Sequence, residues 1–359
     1  MSPSYTLNLI GHLTAVTPLA TTLPAASNQN KKDGPTPLPR MPFHFEGNSF
    51  EAPYFPGSGI RGRLRRIGVG LVRACFEEGF PLPTFYYLTI GGVKGKGGDD
   101  KASFKKSYDN RVKNPLIGLF GSGDPFHGGR AWIGHATPSE PISVGVIGGV
   151  RSDDFTRGGG EKLELLAPED VALWEKQAIE NRLRSQAEAT IRNLEQKLRR
   201  AKKDEAEKIR NEIKRLTDQA EAHGQAAGST TSVQLPLPGY EVIPPGTKLQ
   251  QRITLDAVNE AELGLFFHIM KVFAINPVIG AKTAHHCGVV SGEWQYQLLD
   301  ARTNEVLSRG EIALVPYEGL KMDIPLVEGA MKAFAERLAR NEFDFAAPGR
   351  PGKDAGADD

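Results

Sequence analysis

The residues best suited to binding chemistry form a glycine-rich turn that leads directly into a run of arginines. They are Gly57, Ser58, Gly59, Arg61, Arg63, Arg65 and Arg66. Backbone N–H groups at a helix start attract anions, and residues four apart share one face of a helix. The spacing therefore predicts that Arg61 and Arg65 contact consecutive phosphates of a nucleic acid. A solvated surface helix, whose arginines only keep the protein soluble, is the alternative.

The same turn, Gly57-Ser58-Gly59-Ile60-Arg61-Gly62, matches the G-x-G-x-x-G pattern of dinucleotide-binding folds. Such a fold needs an apolar strand immediately before the glycines, whereas Pro53 and Pro56 stand there. Its ribose-binding acid belongs on a second strand, but Glu77 lies at the end of the same predicted helix. A dinucleotide-binding enzyme that uses Gly57–Gly62 is therefore kept only as an alternative function.

A second polar group lies far along the chain, where Lys282 precedes His285-His286-Cys287. Histidine and cysteine are zinc ligands, but adjacent residues point in different directions, and no other Cys or His cluster in the sequence has ligand spacing. Imidazole rings beside a lysine can instead stack on bases or contact phosphate. We assign Lys282, His285 and His286 to RNA binding, and the sequence indicates neither a metal site nor a cofactor.

The charge of the chain is unevenly distributed. Over 359 residues, 44 Lys and Arg face 43 Asp and Glu. Residues 1–130 carry 16 basic and 9 acidic side chains, residues 161–222 carry 14 of each, and residues 223–359 carry 12 and 17. The near-zero total excludes a uniformly basic surface, but the basic front third still permits RNA binding.

Composition also predicts the compartment. Two cysteines, Cys75 and Cys287, are too few for a disulfide scaffold and favour a reducing environment. No apolar run in the sequence approaches the roughly 20 residues that span a bilayer, and the first residues lack a charged signal region. We expect a soluble, cytoplasmic protein with no membrane partner.

The elements that must position these groups follow from periodicity. Alternation at Tyr5–His12 predicts an opening strand, and apolar spacing over Ile60–Phe76 predicts a helix. Residues 161–222 contain two sets of helical spacing with a phase slip at Lys202-Lys203-Asp204-Glu205, which predicts a helical hairpin. Later segments predict strands within 233–255, 293–299 and 304–315, and helices at 258–275 and 326–340. This order predicts an α+β, ferredoxin-like fold with large insertions.

Three segments lack such periodicity. Proline-rich residues 17–57 and Lys/Gly-rich residues 91–114 are predicted to be loops, and residues 346–359 a disordered tail. Long loops are more often functional surfaces than simple connectors.

Four segments, in the same order, resemble the RAMP-superfamily backbone subunits of class 1 CRISPR effector complexes, which are Cas seven-like proteins. Residues 56–65, PGSGIRGRLR, resemble the family's P-G-S-S-x-(K/R)-G-x-x-R segment. The second segment is GLFGS at 118–122 with GRAWI at 129–133, and the third is VIPPGT at 242–247. The fourth runs from LGL at 263–265 through PVIGAK at 277–282 to GVV at 288–290.

The resemblance implies an RRM-like palm with a large inserted thumb. Residues 1–150 and 243–345 would form the palm, and residues 151–242 the thumb region, with 161–222 as its helical elaboration. Family members stack head to tail along a guide RNA. The implied partners are therefore the guide RNA, copies of this chain, other effector subunits, and target nucleic acid through the guide. Loops 17–57 and 91–114 would contact RNA or the neighbouring subunit.

The departures from the family pattern favour one branch. Gly59 replaces a serine, His135 stands where an aspartate is usual, and His285-His286-Cys287 occupies a glycine-rich loop. Residues 151–158 only loosely resemble the family's I-D-R-x-x-G segment. Together with the helical insertion, these differences favour the divergent type IV, or Csf-type, branch.

The resulting hypothesis is a non-catalytic, guide-RNA-binding subunit of a type IV ribonucleoprotein in antiviral defence. Type III relatives cut target RNA with an aspartate in the loop before the Gly-Ser helix, where this chain has only Asp33. An Asp-Gly pair beside two lysines is typical of a turn. A target-RNA endonuclease using Asp33 is the first alternative, and the dinucleotide-binding enzyme is the second.

Overall fold

The computed structural model describes residues 3–21, 35–45, 47–92, 104–123, 126–151, 167–198, 203–227 and 235–348. The chain divides into two compact units, each described by itself. Met1–Ile147 and Gly239–Asp359 form the first unit, and Gly148–Pro238 forms the second.

The helices and strands alternate along the chain. The strands are β1 (Ser4–Ala15), β2 (Arg40–Phe45), β3 (Asn48–Pro53), β4 (Ser122–Gly123), β5 (Phe126–His127), β6 (Ala131–Ile133), β7 (Thr137–Pro138), β8 (Gly145–Arg151), β9 (Leu235–Val242), β10 (Lys248–Asn259), β11 (Val290–Asp300), β12 (Val306–Val315) and β13 (Gly319–Lys321). The α-helices are α1 (Gly57–Val72), α2 (Leu82–Ile90), α3 (Phe104–Lys113), α4 (Pro115–Phe120), α5 (Pro168–Leu198), α6 (Lys203–Ala227), α7 (Glu260–Ile275) and α8 (Pro325–Ala339). Short 3₁₀ helices cover Arg73–Cys75 and Thr283–His285.

One antiparallel sheet organises the first unit. Its strands lie in the order β13-β12-β11-β1-β10-β6, and β7 also pairs with β10. The pairs β2–β3, β4–β5 and β8–β9 lie outside this sheet. The fold is therefore mixed α+β with a mainly antiparallel sheet, which confirms that part of the predicted fold class.

Alternate residues of the central strand β1 face the core. Leu7 and Leu9 are buried, whereas Ile10 is exposed. Leu9 lies opposite Ile253 of β10 and Tyr296 of β11, so the register collects apolar residues on one face of the sheet. The opening strand predicted from the alternation is confirmed.

Helices cover this buried face, and α7 is central among them. It packs against α1, α4 and α8, and begins with a capping box. The Asn259 side chain accepts the Glu262 N–H at 2.9 Å, and the Glu262 carboxylate accepts the Asn259 N–H at 2.8 Å. Gly264 permits close approach of α8, because a Cβ there would lie 2.2 Å from the Ala330 carbonyl oxygen. The predicted helices at 258–275 and 326–340 are confirmed within a few residues.

A buried ion pair joins α3 to α7. Arg111 donates two hydrogen bonds of 2.8 Å to the carboxylate of Glu262, which is fully buried. Such a bidentate pair fixes both position and orientation. The prediction of a loop over residues 91–114 is wrong for residues 104–113, because they form α3. Residues 93–103 lie outside the described ranges.

Two other predicted irregular segments also contain order. Within residues 17–57, β2 and β3 form a hairpin in which Phe43 and Phe50 lie 5.9 Å apart between ring centroids. Prolines are tolerated there because neither strand enters the main sheet. The predicted tail starts too early, since the Ala347 N–H donates to Thr84 Oγ1 at 3.1 Å; residues 349–359 fall outside the description.

The second unit contains the two predicted helices, α5 and α6, which pack along each other. Leu216 and Ala220 are buried between them, and Glu180 binds His223 across the pair at 2.7 Å. The predicted phase slip falls at the gap between them, where 199–202 are not described. Across all described helices, none combines the length and apolar character that crossing a membrane requires.

Candidate nucleic-acid interface

The first turn of α1 carries the glycines assigned to phosphate binding. The Gly57 N–H donates to Nδ1 of His135 at 3.0 Å, and the Gly59 N–H donates to the Pro56 carbonyl at 3.0 Å. Two of the first amides are thus already engaged. An anion at this helix end would contact Ser58 and Gly59, which are both exposed.

Gly57 itself has a packing role. A Cβ at this position would lie 2.2 Å from the carbonyl oxygen of Ile133 and 2.6 Å from that of Gly134. Only glycine permits this approach of the helix start to the end of β6. Gly57 is buried, so its assignment as an RNA contact does not fit the structure.

Arg65 is buried as well. Its guanidinium donates to four backbone carbonyls, those of Leu88 (2.5 Å), Tyr87 (2.9 Å), Gly121 (3.0 Å) and Phe120 (3.3 Å). These carbonyls lie at the ends of α2 and α4, where the helix dipole is negative. Burial, together with the charge of Arg61, lowers the pKa of Arg65 to about 10, which keeps the group charged at neutral pH.

Arg61 points to the same place. It is half-buried, donates to the Phe120 carbonyl, and has its pKa lowered by burial. The geometry therefore gives no support to the prediction that Arg61 and Arg65 together contact consecutive phosphates. Arg65 is buried, and both side chains donate to the carboxyl ends of neighbouring helices.

Arg63 and Arg66 have different surroundings. Arg66 is exposed, whereas Arg63 is half-buried. Burial, and secondly the charge of Arg66, lowers the pKa of Arg63. Among the arginines assigned from the sequence, Arg66 is the one whose side chain is open to a phosphate.

The second predicted group lies in a sharply turned loop, residues 280–288. Lys282 and His286 have φ values of 59° and 58°, in the left-handed region, and bracket the 3₁₀ turn Thr283–His285. Lys282, His285 and His286 are all exposed. The Lys282 ammonium lies 5.2 Å from the ring centroid of Tyr240, within range of a cation–π interaction.

Phe55 brings these two groups into one region. Its fully buried ring has one edge 3.2 Å from a Cβ built at Gly59 and the other edge 3.0 Å from a Cβ built at Gly280. The first turn of α1 and the start of the loop thus pack on the two sides of one ring. We call the exposed residues of the two predicted groups the loop–helix cluster; they are Ser58 and Gly59, Lys282, His285 and His286, and Arg66 further along α1.

The alternative chemistries gain no support from this geometry. Cys287 is buried while His285 and His286 are exposed, so the three side chains do not converge on a zinc ion. No group of three His, Cys, Asp or Glu side chains that could hold a metal occurs within the described ranges. Asp33 lies outside the described residues.

The dinucleotide alternative requires a helix that starts at the carboxyl end of a strand in a parallel sheet. Here α1 follows β3, which pairs with β2 alone, and the strands of the main sheet pair antiparallel. The first amide of Gly57–Gly62 is already bound by His135. We therefore set this alternative aside.

Sequence reasoning missed Phe55, Tyr240 and the capping role of His135. The family pattern offered a signal for His135, because the family that the sequence resembles usually has an aspartate there. Nδ1 of His and an Oδ atom of Asp are both acceptors bonded to Cγ. Neither Phe55 nor Tyr240 stands in a pattern that distinguishes it from other aromatic residues.

Comparison with known proteins finds likenesses among solved structures and none among sequence families. No protein-family model matches the chain, and no curated protein matches it. Among solved structures, it is similar to a chain described as "Type IV-B CRISPR Complex", with 14% sequence identity and a TM-score of 0.44. The match covers 86% of this chain and 95% of that chain.

Proposed function

We propose that this protein is a guide-RNA-binding backbone subunit of a type IV CRISPR ribonucleoprotein. In this proposal the first unit is an RRM-like palm, the second unit belongs to a thumb, and copies stack head to tail along the RNA beside other effector subunits. Sequence specificity comes from pairing between guide and target nucleic acid, while the protein binds backbone and shape.

The observation that carries the proposal is that the four family-like segments, far apart in the sequence, contact one another. Arg65 of the first segment donates to Gly121 of the second at 3.0 Å. Phe55, which adjoins the first segment, packs against Gly280 of the fourth. The first segment is thus the meeting point of two others.

The third and fourth segments meet on a short extended stretch after β1. Ile243 of the third segment pairs with Leu19, and Ala281 of the fourth pairs with the adjoining Ala20. All four segments therefore lie in one part of the first unit. Their assembly supports a common role for the four segments.

The strand order supports the palm. The chain order β1-α1-β6-β10-α7-β11 and the spatial order β11-β1-β10-β6 correspond to a βαββαβ unit with strands arranged 4-1-3-2. This is the ferredoxin-like arrangement of RRM-type folds. The second unit is inserted between β6 and β10 in the sequence, where the family resemblance places a thumb.

The loop–helix cluster supplies the RNA contacts in this proposal. Lys282 and Arg66 provide exposed cations, and His285 and His286 provide rings that can stack on bases. Arg61 and Arg65 contribute indirectly, because they attach α1, which carries Ser58, Gly59 and Arg66, to the carboxyl ends of α2 and α4.

Co-expression with a guide RNA tests the proposal. The protein should elute as a multimer with nuclease-protected RNA. Lys282→Glu and Arg66→Glu should each reduce the recovered RNA about 10-fold, because each replaces a cation beside phosphate with an anion. Lys332→Glu makes the same charge change at an exposed site on α8 and should leave recovery unchanged. A nucleic-acid-free monomer that never binds the guide would refute the proposal.

The proposal also assigns no catalytic step to the protein. Complementary RNA, incubated with the assembled complex and a divalent metal, should remain intact. Cleavage at regular intervals that disappears in Asp33→Ala would identify a type III-like endonuclease instead.

A further inference from the structure

One face of the main sheet is left uncovered by the described helices of the first unit. On β6, β10 and β1 it presents Trp132, Lys248, Gln250, Arg252, Thr254, Asn8, Ile10 and His12. We call these residues the open half-face. They project opposite to the buried leucines of β1, because successive side chains of a strand alternate between the two faces.

Two large apolar side chains of the open half-face are exposed to solvent. Trp132 and Ile10 each retain 57% of their accessible surface. The indole N–H of Trp132 donates to the Gly129 carbonyl at 3.3 Å, which restrains the ring. An exposed, restrained aromatic ring on a sheet is a suitable platform for stacking a base.

Arg252 is held beside this platform. Its Nε lies 3.3 Å from Thr254 Oγ1, and a terminal nitrogen lies 3.3 Å from Asn8 Oδ1. Thr254 is the direct cross-strand partner of Trp132, so the guanidinium is directed toward the indole end of the face. The face thus combines a ring that can stack on a base with a neighbouring cation that can contact a phosphate.

The charge of the sheet face is divided in a way that favours an anionic strand here. Lys248 and Arg252 lie on the open half-face, while Glu293 and Glu311 lie on β11 and β12. Asp256 is the acid at the end of the open half-face. Its negative charge raises the pKa of Arg130, whereas burial lowers it. The β11–β12–β13 side also carries Arg309 and Lys321, so its charges balance, whereas the β6–β10–β1 side has an excess of cations that favours an anionic strand there.

The open half-face is continuous with the start of α1. The Gly134 N–H donates to the Arg252 carbonyl at 2.8 Å. The Gly134 carbonyl in turn lies 2.6 Å from a Cβ built at Gly57. The first turn of α1 thus adjoins the β6 end of the open half-face.

We propose that the open half-face binds single-stranded RNA, with the Trp132 indole stacked on an unpaired base and Arg252 contacting an adjoining phosphate. The inference rests on the proposed function for the identity of the RNA, and adds to the loop–helix cluster a second contact region with a stacking role.

The test uses the full chain, free of guide, and a labelled oligouridine of about 15 nucleotides. Trp132→Ala should weaken binding about 10-fold, whereas Trp132→Phe, which keeps a stacking ring, should stay within about 3-fold. RNA should quench tryptophan fluorescence in the wild type, and this quenching should be lost in Trp132→Phe. Should Trp132→Ala fail to fold, the quenching measurement with Trp132→Phe still decides the question.

Matched variants locate the effect. Arg252→Ala should weaken binding about 10-fold and lower the salt dependence by about one phosphate contact. Arg309→Ala, on the β11–β12 side of the same face, and Tyr317→Ala, an aromatic residue 67% exposed, should bind like the wild type. Unchanged affinity and quenching in the Trp132 variants would overturn the inference.

The two proposals fail in different ways. If the wild type assembles with guide RNA but does not bind oligouridine, only the stacking site is overturned. If it binds neither, the proposed function is overturned together with the stacking site.

Discussion

Arg65 and Arg66 are neighbours in the sequence with opposite surroundings. Arg65 is enclosed and donates to four carbonyls, while Arg66 is exposed. A buried cation is stable only when its donors are matched by acceptors, and here the carboxyl ends of α2 and α4 provide them. The arginine run thus combines a structural role and a surface role within one helical turn.

Methionine substitutions at these two positions should separate the roles. Arg65→Met should lower the free energy of unfolding by about 3 kcal/mol, because it leaves buried carbonyls without donors. Arg66→Met should change it by less than about 0.5 kcal/mol and should weaken RNA binding. Urea denaturation followed by circular dichroism measures the first effect, and RNA titration measures the second. Equal stability of the two variants would contradict the assigned burial of Arg65.

His135 should be replaceable by the aspartate that is usual at this position in the family resemblance. In both residues an acceptor atom is bonded to Cγ, so Asp can accept the Gly57 N–H, and its charge interacts favourably with a helix start. We expect His135→Asp to be as stable as the wild type or more so. His135→Ala should cost about 1 kcal/mol through loss of the cap. A comparison of their thermal midpoints tests this, and an Asp variant as unstable as the Ala variant would contradict the capping role.

At the scale of elements, the junction of α3, α4 and α7 depends on one glycine. A Cβ at Gly118 would lie 2.0 Å from a carboxylate oxygen of Glu262 and 3.2 Å from Cγ of Arg111. Because Glu262 also caps α7, any shift of its carboxylate disturbs two helices and the ion pair together. This contact explains the first glycine of the GLFGS segment, Gly118.

Gly118→Ala should therefore destabilise the protein by about 2 kcal/mol, although alanine is the better helix former. Gly128→Ala is the matched control, since a Cβ there meets nothing within 4 Å, and it should change stability by less than about 0.5 kcal/mol. Denaturant unfolding of both variants provides the comparison. A neutral Gly118→Ala would mean that Glu262 can move without cost.

The elements predicted from the sequence are those with a clear period. β1 alternates strictly, and α7 and α8 have long apolar patterns, so their positions could be predicted. α4 could not, because its six residues are all buried and show no periodicity. α3 was hidden by its charged composition, since its attachment depends on the distant Glu262.

The candidate site shows the same limit. Composition indicated which residues could bind phosphate, and their exposure separates Arg66 and Lys282 from the enclosed Arg65. That difference in exposure depends on α2, α4 and Phe55, which lie outside the glycine–arginine segment 57–66. Local spacing alone therefore could not distinguish surface arginines from internal ones.

For the whole molecule, the distribution of charge takes on a different meaning. Residues 1–130 carry an excess of seven basic side chains, but Arg61, Arg65 and Arg111 are engaged within the protein. The surface of this region is thus less basic than its composition. In the proposed function, RNA binding depends on a few exposed cations combined with stacking rings, which agrees with a sequence pI near 7.8.

The division into two units leads to a prediction about folding. The main apolar core of the described residues includes no side chain from Gly148–Pro238, so the first unit closes its core by itself. Val146 and Ile147 lie within 3.3 Å of a Cβ built at Gly239, so the two ends of the insertion are adjacent and a short turn can join them.

We expect a chain in which Asn-Gly connects residue 148 to residue 238 to fold and to unfold in one cooperative transition. If the second unit is a thumb that reaches the next copy, this variant should still bind oligouridine but should not multimerise on guide RNA. Light scattering and denaturation measure both properties. An insoluble or non-cooperative product would show that the first unit needs the insertion to fold, and multimers of normal size would exclude the thumb role.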